Sequence, residues 1–449
     1  MIETTDNSRV PWNFTDEEIS DISNLANKSI ADLLAGKNHK LLIFPNNISE
    51  SKDKIAQEKI FTLDKEKEVL MTDNILGFIG INNTQISICS RFAKSSKKDF
   101  FLHYMLCKAL SINVFNLEHS TAEDSILDFM LYFFINRFRD AMRQGIYKEY
   151  QRREYNDSNV RGTIDVNRHI KLNYPNTGKI AYHTREYCYD NHITQLVRHT
   201  IEFIKSNPFG SSILSYDEQV KSFVRQIMDA TPSYNRSQRI FIMNQNIKPV
   251  HHPYFSKYTD LQKICMQILR HDKFKYGEEK DQIYGILFNG SWLWEEYVGI
   301  ILKPILKHYR TGMKLFIDEN GRKIQTIIPD FLSESYEDAD KREIVADAKY
   351  MRLDKENNYG EDKANAVYYK TIMYMYRFSS QRGYLLYPLQ TDDQNNDPNP
   401  KKDVLNIIGT NSRLIKYGMP IPQSIDMFSD FCKAMKEREN NFLNNLQEH

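Results

Sequence analysis

Three residues of this 449-residue chain have the types and spacing for hydrolysis of a phosphodiester: Asp330, Asp347 and Lys349. Asp347 stands 17 positions after Asp330, and Lys349 two after Asp347. Asp330 closes the run Ile327-Ile328-Pro329 and Asp347 closes Ile344-Val345-Ala346. Both acids therefore fall at the ends of apolar, strand-like segments, and adjacent strands would bring the carboxylates together. A hard divalent ion such as Mg²⁺ takes oxygen ligands, commonly one or two carboxylates plus substrate phosphate. Such an ion polarises the scissile phosphate and lowers the pKa of a bound water. On an extended strand Lys349 projects to the same side as Asp347. Its ammonium can there orient the attacking water or stabilise charge developing on the phosphate.

The triple alone is not specific, because acid-x-Lys also occurs at Glu278-Glu279-Lys280 and Glu361-Asp362-Lys363. Those two lie in polar sequence, where a charge run is a solvated face. A carboxylate at the end of a buried strand is costly unless paired or ligated. That leaves two readings, a metal-holding site and a buried Asp–Lys ion pair. Glu295 offers a third carboxylate on a helix expected to open at Trp292, with Glu296 about 100° away round that helix. In the helix after Lys349, Lys370 could face a phosphate backbone, while Tyr369, Met373 and Tyr376 read as a packing stripe.

The elements that must position these residues follow from the pattern. A helix from Trp292 to about Lys303, ended by Pro304, precedes a strand, Met313–Ile317. The turn Glu319-Asn320-Gly321 leads to a strand ending at Asp330. A charged loop (333–342), a strand (Glu343–Asp347), a helix (Ala364–Phe378) and a strand (Gly383–Tyr387) complete an α/β domain. Residues 391–402 read as a surface loop. Upstream, a helix is expected over Glu17–Leu34 and strands over Lys40–Phe44, Ile75–Ile81 and Gln85–Cys89, the last two joined at Asn82-Asn83. Helices are expected after Lys98 and over Ser125–Met142, Asp190–Ile204, Asp217–Met228 and Asp260–Leu269. The charged stretch 273–281 marks a boundary. The expected division is a mixed N-terminal domain (1–95), a largely helical central region (96–275) and a C-terminal α/β domain (276–449), an α+β and α/β multidomain chain.

With 60 Lys+Arg against 59 Asp+Glu, a net charge of +1, any nucleic-acid contact must come from local patches. The basic stretch 143–168, with Arg152, Arg153 and Arg161, is the candidate for touching DNA or a partner; a solvated basic loop is the alternative. The five cysteines are scattered without a CxxC pair, which suits reduced thiols rather than a disulfide framework or zinc site. Neither a signal peptide nor a membrane span is evident, so a soluble cytoplasmic protein is expected. The adjacent His251-His252 would face opposite ways on a strand, and no nucleophile elbow appears. Thr177-Gly178-Lys179 and Ala35-Gly36-Lys37 lack the first glycine and the hydroxyl residue of a phosphate-binding loop, so nucleotide hydrolysis is expected from another polypeptide.

The order Glu295, Asp330, Asp347-Ala348-Lys349 resembles the PD-(D/E)xK nuclease superfamily, and more specifically the McrC nuclease subunits of McrBC-type restriction systems. The likeness extends to Ser90-Arg91-Phe92 with Asp99–Leu106, to Val160–Asp165 with Asp190-Asn191, to Leu293–Val298, and to Leu385–Pro388. It covers roughly residues 85–390. Where family members usually carry Tyr-Gln, this chain has Tyr369-Lys370. The resemblance implies a restriction-endonuclease-like nuclease core in the C-terminal domain. It implies Mg²⁺ on Asp330 and Asp347, Lys349 and Glu295 as further catalytic residues, and cleavage of foreign double-stranded DNA with a separate AAA+ GTPase ring. A non-catalytic activator of that GTPase and a stand-alone repair nuclease are the alternatives.

Overall fold

The computed structural model describes every residue except 1, 12, 36–38, 46–54, 65, 83, 94–98, 110–121, 176, 207–210, 212–213, 216, 275–282, 335–340, 355–359, 391–396, 424 and 448–449. The chain gathers into two compact units, residues 1–122 with 279–449, and residues 123–278. These units do not follow the three-way sequence division. One reason is a strand absent from the sequence reading, Ile283–Asn289. It lies in the N-terminal sheet, antiparallel to Ile75–Ile81 and parallel to His39–Phe44. Most of the charged stretch read as a boundary (275–281) lies outside the described residues.

The strand order of this sheet is Ile2–Thr5, Thr84–Cys89, Ile75–Ile81, Ile283–Asn289, His39–Phe44. Two glycines permit the central pairing. A Cβ on Gly77 (φ +120°) would lie 2.3 Å from the Ile286 carbonyl oxygen, and one on Gly285 (φ +156°) 2.2 Å from that of Phe78. Ile22, Leu25, Ile30, Ile79, Ile86 and Leu287 are buried in the same core. The helix expected over 17–34 is two, Asp16–Leu25 and Ile30–Ala35. Asn27, with φ +63°, turns the chain between them and ties it to Leu63 through its side chain.

Ile283–Asn289 runs directly into the helix Gly290–Leu302, and thence into a six-stranded mixed sheet. Its order is Lys307–His308, Phe331–Leu332, Ile344–Ala348, Arg382–Gln390, Arg413–Ile421, Lys401–Asn406. The three central strands run parallel, and the flanking ones antiparallel. Helix Gly360–Arg377 contributes Tyr374 and Met375 to a core shared with Leu332, Val345, Leu385 and Leu414. Met313–Ile317 and Lys323–Ile327 form a separate hairpin. The last two strands and the helix Phe428–Gln447 were not read from sequence, and Lys401-Lys402, assigned to a loop, open a strand.

The second unit contains the helices Ala122–Arg143 (from residue 123), His192–Lys205, Glu218–Ala230, Arg239–Gln245 and Tyr258–Phe274. Beside them, Glu149–Asp157 pairs along its whole length with Ile180–Cys188, which also pairs with Thr163–Ile164. The sequence reading passed over the two long strands because neither carries an alternating apolar face. Asn191 caps His192–Lys205 by accepting from the Ile193 and Thr194 amides, and Asp165 caps Val166–Asn173. Among the described residues no helix is long and apolar enough to cross a membrane.

Candidate active site

The two aspartates meet because of strand register. Phe331–Leu332 pairs antiparallel with Ile344–Ala348, Phe331 opposite Ala346 and Leu332 opposite Val345. One further step puts Asp330 opposite Asp347. Side chains alternate along a strand, so Asp330 shares a face with Leu332, and Asp347 with Val345. Leu332 and Val345 pack against the helix Gly360–Arg377, and the two carboxylates therefore lie on that helix's side of the sheet.

Both are buried, Asp330 at 2% exposure and Asp347 at 0%. Asp330 Oδ2 accepts from the Ala348 amide at 2.7 Å. Asp347 Oδ2 pairs with the Lys349 ammonium, and Asp347 Oδ1 lies 3.6 Å from Lys370 Nζ. The sheet and the helix each supply one cation to one carboxylate, with Lys349 mostly covered and Lys370 half exposed. Lys349 lies just past the last ladder pair, where its amide donates to the Leu386 carbonyl at 2.8 Å. The same carbonyl accepts from Trp294 Nε1 at 3.1 Å, which fastens the helix Gly290–Leu302 to the sheet beside the lysine.

Glu295 comes from the other face. Its carboxylate meets His308 Nε2 at 2.9 Å, and the His308 ring lies 5.0 Å from that of Phe331. Phe331 points away from Leu332 and so away from the aspartates. Gly299 makes room for this approach, since a Cβ there would meet His308 Nδ1 at 2.9 Å. Glu295 thus connects to the aspartates through the chain, His308 being followed by Tyr309, whose amide donates to the Asp330 carbonyl at 2.9 Å. Glu296 pairs with Arg310 at the surface. The sequence reading missed His308; its one signal was a histidine in the segment that follows the helix carrying Glu295.

Of the stripe Tyr369, Met373, Tyr376 only Met373 packs against the core. Tyr369 is 66% and Tyr376 89% exposed, and the helix buries Thr371, Tyr374 and Met375 instead. Lys370 decides the rotation, since its reach to Asp347 leaves Tyr369 outward. Arg152 and Arg153 are consecutive on the strand Glu149–Asp157 and face opposite ways. Arg152 lies against His183 and Asp165, and Arg161 against Tyr182 and Asp157. Arg153 and Arg161 both lie near Tyr155 and Glu186, while Arg152 is on the other face.

Among the described residues no group of three or more His, Cys, Asp or Glu could hold a metal ion. The oxygen donors on hand are the two aspartates, a set that suits a hard cation taking its other ligands from water and substrate.

Fold and site together define a multidomain α/β protein with a buried carboxylate pair and a lysine at the parallel centre of its C-terminal sheet. The chain belongs to the McrBC 5-methylcytosine restriction system component family, which matches residues 70–388. No curated relative matches it. Among solved structures it is similar to a chain of the refined half-complex from the tetradecameric assembly of Thermococcus gammatolerans McrB AAA+ hexamers with bound McrC. That likeness has 12% identity, a TM-score of 0.53 and 99% coverage of both chains. A chain of the Thermococcus gammatolerans McrBC complex matches at 11% identity and a TM-score of 0.34, over 67% of this chain and 87% of that one. The McrC resemblance read from the sequence is borne out.

Proposed function

We propose that this chain is the Mg²⁺-dependent endonuclease subunit of a restriction system, hydrolysing phosphodiester bonds in foreign double-stranded DNA, with its core in the PD-(D/E)xK class. The observation that carries this is the closeness of two buried aspartates, Asp330 accepting from the amide of Ala348 next to Asp347, with Lys349 paired to Asp347. Two adjacent buried carboxylates without compensation would repel and be costly to desolvate. The lysines at Asp347 and the Ala348 amide at Asp330 offset part of that cost, and a divalent ion on both would offset more. Asp330 and Asp347 are the residues that would hold Mg²⁺, which supplies Lewis acidity toward the phosphate and its attacking water. Lys349 holds its ammonium beside the reacting phosphate, and Lys370, on the adjacent helix, meets the DNA backbone. Glu295 braces the site through His308. The ion pair read as the alternative is present, and two buried carboxylates set side by side also suit a shared cation.

The system implied by the family includes an AAA+ GTPase, and the fold match lies in an assembly of McrB hexamers with bound McrC. This chain acts with such a GTPase ring, on either methylated DNA or an unmethylated specific site. The decisive experiment incubates the chain and its GTPase with GTP, Mg²⁺ and plasmid DNA with or without 5-methylcytosine. Cleavage by wild type and none by Asp347→Ala, which still stimulates GTP hydrolysis, supports the reading. Stimulated GTP hydrolysis with no nicking by wild type would establish the non-catalytic activator instead.

A further inference from the structure

Tyr350 follows Lys349, and its ring packs by Gly290 at the start of the helix Gly290–Leu302. It is 3% exposed, and residues distant in sequence surround it. Its hydroxyl is 2.7 Å from that of Ser90. Its ring lies 5.0 Å from that of Phe92 and 4.8 Å from the Arg91 guanidinium. On the helix side the fit requires Gly290, because a Cβ there would come within 2.7 Å of the tyrosine ring. Arg91 also donates to the Tyr350 carbonyl.

Arg91 is itself held. The same Nη2 donates to Asn74 Oδ1 at 3.0 Å, and Nη1 lies 3.5 Å from Asp6 Oδ2. The Arg91 amide donates to Asp6 Oδ1 at 2.7 Å. Asp99 accepts from the Ser90 amide and from the Leu102 amide, fixing the segment that carries Ser90 and Arg91. Packing alone does not call for this arrangement, since an apolar side chain in place of Arg91 would cover the ring with less desolvation. What the guanidinium adds is a donor aimed at the main chain. Lys349 has left the strand ladder, and two groups hold its backbone: the Leu386 carbonyl on its own amide, and Arg91 on the next residue's carbonyl.

We propose that Arg91 is a positioning residue for Lys349: by gripping Tyr350 from the N-terminal segment it sets the direction in which the lysine projects towards Asp347. This rests on the hydrolytic reading above. It makes Asp6, Asn74, Ser90, Arg91 and Asp99, remote from the motif in sequence, part of what orients the lysine. Catalytic groups displaced by about 1 Å lose rate on the order of 10²-fold, so a loosened Lys349 should show in turnover more than in DNA binding.

The test uses the full chain with its GTPase, GTP, Mg²⁺ and plasmid DNA, comparing Arg91→Met, Arg91→Lys and Tyr350→Phe with wild type. Rates are expressed per folded molecule from circular dichroism. Arg91→Met is expected to lower kcat on the order of 10²-fold, leave KM for DNA within about twofold, and preserve stimulation of GTP hydrolysis. Arg91→Lys, which keeps a donor, should recover part of the loss. Tyr350→Phe, which deletes only a hydroxyl, should lower kcat by about threefold to tenfold and keeps the test available if Arg91→Met does not fold. Wild-type kcat per folded molecule in Arg91→Met, or in Tyr350→Phe where Arg91→Met does not fold, overturns the proposal and leaves the nuclease reading standing. So does a fall in kcat that Arg91→Lys fails to relieve. A wild-type protein that never nicks the plasmid overturns both.

Discussion

Asp330 accepts a 2.7 Å hydrogen bond from the amide of Ala348, the residue between Asp347 and Lys349. The second acid and the lysine are thus registered to the first through one main-chain N–H. The carboxylate both anchors the turn into Phe331–Leu332 and faces the site, so its geometry and its chemistry test separately.

Asp330→Asn keeps an acceptor for the Ala348 amide and removes the charge. It should fold as wild type and lose cleavage by on the order of 10³-fold, read by plasmid nicking across a Mg²⁺ series. Cleavage within tenfold of wild type would remove Asp330 from the metal site.

Asp347→Asn leaves the Lys349 and Lys370 ammoniums facing an uncharged amide. Breaking a fully buried pair costs about 3–5 kcal/mol, but lysines that reach solvent relax, and about 1–2 kcal/mol is expected. The urea midpoint of the unit, followed by the fluorescence of Trp292 and Trp294, should fall accordingly. A stabilised variant would show that metal binding was what justified the buried charge.

Glu295 lies across the sheet from the aspartates and contacts His308, through which the proposed function has it act. Removing an outer partner of this kind costs about 10–100-fold, so Glu295→Gln and His308→Asn should each impair cleavage less than Asp347→Ala. Equal losses in all three would place Glu295 on the metal or substrate itself.

Burial pushes Asp99 up to about 7, against the pull of the Ser90 and Leu102 amides, with Asp6 raising it further. The folded protein holds this proton more tightly than the unfolded chain, whose aspartate titrates near the ordinary 3.8. Stability from this group is therefore full below about pH 4, declines as pH rises towards 7, and is flat above it. Urea melts from pH 5 to 8 should show that decline, and Asp99→Asn should flatten it even if its absolute stability is lower. An unchanged slope in the variant would assign the pH dependence to other groups.

Gly77→Ala and Gly285→Ala each drive a Cβ into the carbonyl oxygen of the opposing strand. Each should destabilise by about 2 kcal/mol or more, measured as the thermal midpoint by circular dichroism. Unchanged midpoints would show that the sheet can slide to accept a methyl group.

Much of the candidate site's layout was legible because its signals are local. Apolar runs ending in acids located Asp330 and Asp347, and the two-residue spacing placed Lys349 on the face of Asp347. Ile75–Ile81 emerged at its bounds, and Pro304 follows shortly after the helix that ends at Leu302. The hairpin before Asp330 was less legible, because Lys323–Ile327 stops short of the acid and Phe331–Leu332 is too brief to show a period. The rotation of Gly360–Arg377 was misread because Tyr369, Met373 and Tyr376 repeat at the spacing of a buried stripe.

By itself, the sequence determined the acids, the lysine, most of the elements that carry them and the family likeness, since each depends on residues within a few turns or strand steps of one another. Only the tertiary structure decided what lies opposite what. Strand pairing between segments far apart in the chain put Ile283–Asn289 into the N-terminal sheet, set Asp330 beside Asp347, sent Glu295 to the other face with His308, and placed Arg91 on Tyr350. Those contacts arise from register and from shape fit at Gly77, Gly285 and Gly290, which no local pattern of residue types encodes.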